Sequence, residues 1–244
     1  MDISFWKNLQ YNSGSNFAID FSSKQYFKQY LYRLEISAHG CKSIRDEDIG
    51  KSLNKRRSYA RDYNYGGSWW DAKIKENLDK ADIGWLSELK QLMEEYPDVK
   101  VRTEEPKLSI YATDETMIQS FAKAISPDNR HNILSITGPE NNHVQQLLEN
   151  NVILVKREPK FRYRVFFKEK QFDFSVRQQI YTYLAQLGDL IKMTDHTKES
   201  LIKPHNWIWG CYFYSNDKGV AEMVRLIHPD VVREVSEIVC LDNK

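Results

Sequence analysis

The chain has 244 residues, of which 41% are hydrophobic and 28% charged, with a formal net charge of +1. These values exclude global disorder and a uniformly polycationic protein, and the length is enough to bury a core without covalent staples. Cys41, Cys211 and Cys240 are too few and too scattered for a disulfide framework or a zinc ribbon.

The opening residues Met1–Lys7 lack the charged-then-apolar layout of a signal segment, and no apolar run approaches the roughly 18–20 residues of a membrane span. The expectation is a cytoplasmic protein with no membrane contact. Residues 1–23 have no clear period and read as an N-terminal arm. Tyr30–Ser37 alternates like a strand, and His39-Gly40 ends it. A weak helix is expected around Glu47–Arg57. Asp82 caps a helix over Ile83–Tyr96, with Leu86, Leu89, Leu92 and Met93 at helical spacing and Pro97 closing it.

Val99–Arg102 and Leu108–Tyr111 read as strands joined by a Glu105-Pro106-Lys107 turn. Asp114 caps a helix carrying Met117, Ile118, Phe121 and Ile125. Ile133–Ile136 is a strand, and a short amphipathic helix with Val144, Leu147 and Leu148 follows. Val152–Val155 and Phe161–Phe167 read as strands of a second hairpin, turned at Glu158-Pro159-Lys160. Then come a helix over Ser175–Leu187, a strand at Leu190–Met193 and a polar loop over 194–206. Trp207–Tyr214 reads as a strand, Asp217 caps a helix with Val220, Met223, Val224 and Ile227, and Ile238–Leu241 is the last strand.

The grammar repeats. Tyr111-Ala112-Thr113-Asp114 lies over Tyr214-Ser215-Asn216-Asp217, and Met117 and Phe121 then fall on Val220 and Val224. The expected fold is α+β, with two tandem ferredoxin-like (βαββαβ) halves and antiparallel sheets. The arm is 1–23, the first half 24–140 with a basic aromatic insertion at about 45–80, and the second half 141–244. Helices would cover one face of each sheet and leave the other open.

Two segments point to nucleic acid. In the first, Lys51, Lys55, Arg56, Arg57 and Arg61 occur with no acid before Asp62, and Tyr59, Tyr63, Trp69 and Trp70 are interleaved or follow. Cations supply phosphate affinity, rings stack on bases, and Gly66-Gly67 lets the segment bend. A solvated helix face with a Trp anchor would read the same way. In the second, alternation sends Phe161, Tyr163, Val165 and Phe167 to one face of a strand and Lys160, Arg162 and Arg164 to the other. Arg33 holds the matching place in the first half. A charged strand that discourages aggregation would also look like this. In Trp207–Tyr214, alternation puts Trp207, Trp209, Cys211 and Phe213 on one face, expected in the core, and Ile208, Tyr212 and Tyr214 on the other, where stacking by Tyr212 or Tyr214 on the open face is the alternative to core packing.

Enzyme signatures are weak. Pro97-Asp98 with Glu105-Pro106-Lys107 spells a metal-nuclease pattern, but Pro106 sits where a strand should pair. The histidines lack ligand spacing, and Walker, dinucleotide, nucleophile-elbow and HExxH motifs are missing, so no catalytic residue, metal or cofactor is expected.

Two tandem ferredoxin-like halves in about 240 residues resemble the CRISPR RNA-processing endonucleases. The C-terminal glycine-rich loop of that family has no counterpart here, since Gly188, Gly210 and Gly219 are dispersed. That departure argues against carrying over its activity. The Arg177–Leu190 segment and Tyr212-Phe213-Tyr214 are also similar to bacteriophage proteins, which implies a viral origin and, for a viral protein, residence in the host cytoplasm. The reading is a non-enzymatic accessory protein that binds RNA or single-stranded DNA. The alternatives are a protein–protein or homo-oligomeric assembly component, and a nuclease with a cryptic site.

Overall fold

The computed structural model describes residues 1–62, 69–204 and 207–241, with the backbone alone at 61–62 and 69–71. The chain divides into two compact units, Met1–Gln145 and Gln146–Lys244. Both mix helices with a five-stranded sheet.

Unit 1 opens with α1 (Ile3–Ser13), capped by Asp2, and β1 (Ala18–Phe21), so the lead-in residues 1–23 hold regular structure. The helix buries only Trp6 and Leu9, and so few apolar positions leave no readable period. The unit continues with β2 (Tyr32–Ser37), α2 (Ile49–Asp62), α3 (Trp69–Asp79) and α4 (Ile83–Glu95). Asp82 caps α4 by accepting from the Trp85 amide at 3.1 Å, and Trp85, Leu86, Leu89 and Leu92 form its buried stripe. Next come β3 (Lys100–Glu104), β4 (Lys107–Ala112), α5 (Glu115–Ala124), β5 (Ile133–Gly138) and α6 (Asn142–Glu149), within which the division into units falls. Gly40 follows β2 at φ +78°, and a Cβ there would lie 2.7 Å from Leu53 Cδ2, so the turn needs glycine twice over.

Unit 2 contains β6 (Ile153–Val155), β7 (Tyr163–Phe167), α7 (Phe174–Gln186), β8 (Ile191–Met193), α8 (Asp195–Ile202), β9 (Tyr212–Ser215), α9 (Gly219–Ile227) and β10 (Val232–Cys240). Its core joins Val165 and Phe213 from the sheet to Ile180 and Leu184 of α7, Leu201 of α8 and Val220 and Val224 of α9. These helices therefore pack on one face of the sheet. Arg177 of α7 is 1% exposed. Its guanidinium donates to the carbonyls of Phe172, Ser200 and Lys203 at 3.1, 2.8 and 2.6 Å. The last two lie at the C-terminal end of α8, where free carbonyls and the helix dipole favour a cation.

The strand orders are β1-β5-β2-β4-β3 and β6-β10-β7-β9-β8. Four strands in each sheet are antiparallel neighbours, and the fifth, β1 or β6, runs parallel to β5 or β10. The expectation of antiparallel sheets is thus corrected: both sheets are mixed. The parallel strands come from the residues taken as an arm and from a supposed hairpin. Arg157–Lys160 does not join hairpin partners, because β10 lies between β6 and β7.

Two further expectations fail locally. Residues 194–206 contain α8, capped by Thr194 Oγ1 accepting from the Thr197 amide at 3.2 Å. Its buried face is Thr197, Ser200 and Leu201, which gives almost no hydrophobic period. The Trp207–Tyr214 strand shortens to Tyr212–Ser215, with Gly210 at φ +61° before it. Trp207 and Trp209 are 56% and 66% exposed, while Cys211 and Phe213 are buried as expected.

Candidate nucleic-acid interface

The two sequence candidates have different surroundings. Arg56 of α2 forms an ion pair with Glu105 and donates to Ser43 Oγ at 3.3 Å. Arg57 donates through Nε and Nη2 to the Leu78 carbonyl at 3.0 and 2.8 Å, at the C-terminal end of α3. Both guanidinium groups thus hold unit 1 together. Lys51 and Lys55 point to solvent, and Tyr59 is 58% exposed. Arg61 lies in α2, and Trp69 and Trp70 open α3. Tyr63, Gly66 and Gly67 lie outside the described residues. Beside the Arg56–Glu105 pair, Cys41 is fully buried, and burial, reinforced by Glu105, pushes its thiol up to about 12.

In unit 2, β7 alternates as its sequence dictates, with Val165 and Phe167 in the core and Arg164 and Phe166 on the opposite side. Register then extends that second side across the sheet. Lys192 of β8 pairs with Tyr214 of β9, Tyr214 with Arg164 of β7, and Arg164 with Ser236 of β10. One rung along, Tyr212 pairs with Phe166 and Phe166 with Glu234 of β10, whose carboxylate accepts from Ser236 Oγ at 3.1 Å. The result, on the face away from α7 and α9, is a row of rings and cations bordered on β10 by Ser236 and Glu234.

Within that row the Arg164 guanidinium stands 3.6 Å from the Tyr212 ring centroid, 4.8 Å from Phe166 and 5.7 Å from Tyr214. Tyr212 and Tyr214 meet edge to face at 5.5 Å, and Phe166 lies 5.8 Å from Tyr212. Burial raises the Tyr214 hydroxyl above the usual phenol range, against the pull of Arg164. Arg164 pairs with no carboxylate among the described residues, and its buried Nε has no hydrogen-bond partner. Arg162 and Lys160 diverge from it. Arg162 is exposed and paired with Glu237 at 3.0 Å, whereas Lys160 extends beside the Phe161 ring at 5.6 Å. Lys168 and Lys170 both reach Asp230 at 3.3 Å.

Unit 1 repeats the row. Lys100, Tyr111, Arg33 and Thr137 are cross-strand partners on β3, β4, β2 and β5. The four types Lys, Tyr, Arg and hydroxyl thus recur on strands of equal rank in the two sheets. The buried Nε of Arg33 also lacks a partner. Three residues after each tyrosine, Asp114 accepts from the Thr116 amide at 2.8 Å and Asp217 from the Gly219 amide at 2.7 Å, but only Asp114 is an N-cap: the α9 cap is Lys218, and Asp217 stands one residue before it. In unit 1, however, the row is covered. Tyr26, Phe27 and Tyr30 pack around Tyr111 with centroids at 5.3, 5.0 and 6.4 Å, and Arg33 is paired with Glu35 at 3.3 Å.

Sequence reasoning found Arg164, Tyr212 and Tyr214 separately but missed that Lys192 and Phe166 join them. Strand pairing was the missing information. Among the described residues no group of three or more His, Cys, Asp or Glu is placed to hold a metal ion, and no helix is long and apolar enough to cross a membrane. Compared with known proteins, the chain matches no family model and no curated relative.

Proposed function

We propose that the protein binds single-stranded nucleic acid, RNA or DNA, on the helix-free face of the unit 2 sheet. The observation that carries this reading is the Lys192–Tyr214–Arg164 row with Phe166 and Tyr212 beside it, in which the arginine stands over a tyrosine ring and forms no ion pair among the described residues. Single strands are bound by rings and guanidinium planes that stack on bases, together with cations that meet the backbone. A face of this kind tolerates any base and fits a sequence-independent accessory role without catalysis.

The matched rows, the matched strand orders and the matched aspartates further support an internal duplication. They also support the ferredoxin-like assignment, since β5-β2-β4-β3 and β10-β7-β9-β8 have the 4-1-3-2 order of the split βαβ unit. On this reading β1 and β6 are added edge strands, and the viral and cytoplasmic assignments remain part of the proposal.

The basic run of α2 is the secondary contact. With Arg56 and Arg57 engaged internally, the exposed cations described on it are Lys51 and Lys55. The test is retention of mixed DNA and RNA oligonucleotides at low salt, with wild-type protein and with Tyr212→Ala. Binding should be strongly salt-dependent. The variant should lose roughly 1–3 kcal/mol with the salt slope nearly unchanged. If neither nucleic acid is retained at low salt, the protein is an assembly module instead.

A further inference from the structure

A cavity of about 520 Å³ opens at the end of the unit 2 sheet where β9 finishes and β7 and β8 begin. That volume is within the roughly 300–1,000 Å³ of small-molecule sites. Its rim carries three cations, Arg157, Lys160 and Lys192, and one acid, Asp189. None of the three cations has a carboxylate partner among the described residues. One wall is aromatic, with Phe161 and Tyr214 stacked at 6.1 Å and an interplanar angle of 24°. Val155, Ile191 and Ile238 add apolar lining.

We infer that this cavity takes a nucleotide bearing a terminal phosphate monoester. The chemistry is that of the lining. An apolar and aromatic wall suits a base, and an excess of cations at the rim suits a dianion. A terminal monoester carries about −1.5 to −2 at pH 7, and an internal diester only one charge, so three cations that form no ion pair among the described residues discriminate between them. Tyr214 and Lys192 belong both to the row across the sheet and to the cavity. The inference therefore rests on the proposed binding face: a strand lying along that row ends in the cavity. The same chemistry is offered by a 5′-phosphate, a 3′-phosphate or a free mononucleotide, and the experiment separates them.

The test is fluorescence anisotropy with one internally labelled single strand of about ten nucleotides in three forms, with a 5′-phosphate, a 3′-phosphate or hydroxyls at both ends. Calorimetry with AMP, adenosine and inorganic phosphate runs beside it. One phosphorylated form should bind about tenfold more tightly than the hydroxyl form. That ratio should fall towards one in the Arg157→Ala/Lys160→Ala variant, whatever happens to the absolute affinity. Equal affinities for the three forms, or a preference that survives in the variant, would overturn the cavity assignment and leave the binding face standing. If no strand binds, yet AMP binds more tightly than adenosine and phosphate and loses that margin in the variant, the cavity is a mononucleotide site and the face proposal fails. If neither strands nor AMP bind, both fall.

Discussion

The helix-free faces of the two sheets carry the same row of residues and treat it in opposite ways. In unit 1, Tyr111 is 5% exposed beneath Tyr26, Phe27 and Tyr30, and Arg33 is held by Glu35. In unit 2, Tyr214 is half-buried, Arg164 lies over Tyr212, and no acid partners it among the described residues. One topology thus supports a row turned into packing and a row whose arginine has no acid partner among the described residues. The difference lies in what surrounds the row. A segment of ten residues before β2 supplies the cover in unit 1, and Phe27 and Lys28 adopt φ of 52° and 60° within it. Backbone in that region costs roughly 1–3 kcal/mol per residue and persists only where surrounding contacts hold it, so the ring cluster and the Lys100–Phe27 contact at 4.0 Å offset a real expense.

The largest effect expected from this contrast is on stability. Tyr111→Ala should cost about 3 kcal/mol in chemical denaturation, because it empties a site packed on all sides. Tyr214→Ala should cost only about 1 kcal/mol, since its ring is half-exposed and leaves a smaller cavity. Equal losses in the two variants would mean that the unit 2 face is as covered as the unit 1 face. The aspartates sharpen the equivalence from the other side. Asp114→Ala and Asp217→Ala should each cost about 1 kcal/mol by removing a side-chain acceptor from a helix N-terminus. A loss at only one of them would break the structural match between the units.

Much of this equivalence was legible in the sequence. Tyr111 and Tyr214, Asp114 and Asp217, and Arg33 and the β7 arginines could be matched by spacing alone. Lys100 and Lys192 could not, since they are neighbours of the tyrosines only through strand register, which a linear pattern does not encode. The two parallel edge strands escaped because β1 and β6 are short, four and three residues, and pair with strands far along the chain. The engagement of Arg56 and Arg57 was hidden for a related reason. Their partners Glu105, Leu78 and Ala81 lie 49, 21 and 24 residues away.

A smaller effect concerns Cys41, beside the Arg56–Glu105 pair. Its thiol is raised from the ordinary 9.0 to about 12 by burial. The folded state therefore favours the neutral form, and the stability this contributes is present below pH 9 and lost as the pH rises from 9 towards 12. At pH 8 the native protein should accept a thiol alkylator at the half-buried Cys240 well before Cys41 or Cys211, both buried, as peptide mass analysis would show. Early alkylation of Cys41 would mean that this part of unit 1 opens readily.

The most direct measurement is a pair of salt titrations on one labelled single strand, with Arg164→Ala and Arg33→Ala compared with wild type. Each variant removes one cation from the same position of an equivalent row. If the unit 2 face is the nucleic-acid interface, Arg164→Ala lowers the slope of log affinity against log salt by roughly 0.7, the value of one lost phosphate contact on a single strand. Arg33→Ala, which removes a guanidinium already paired with Glu35 and 5.2 Å from the Tyr26 ring, leaves the slope at the wild-type value. A slope unchanged by Arg164→Ala, or reduced equally by both substitutions, would contradict the account.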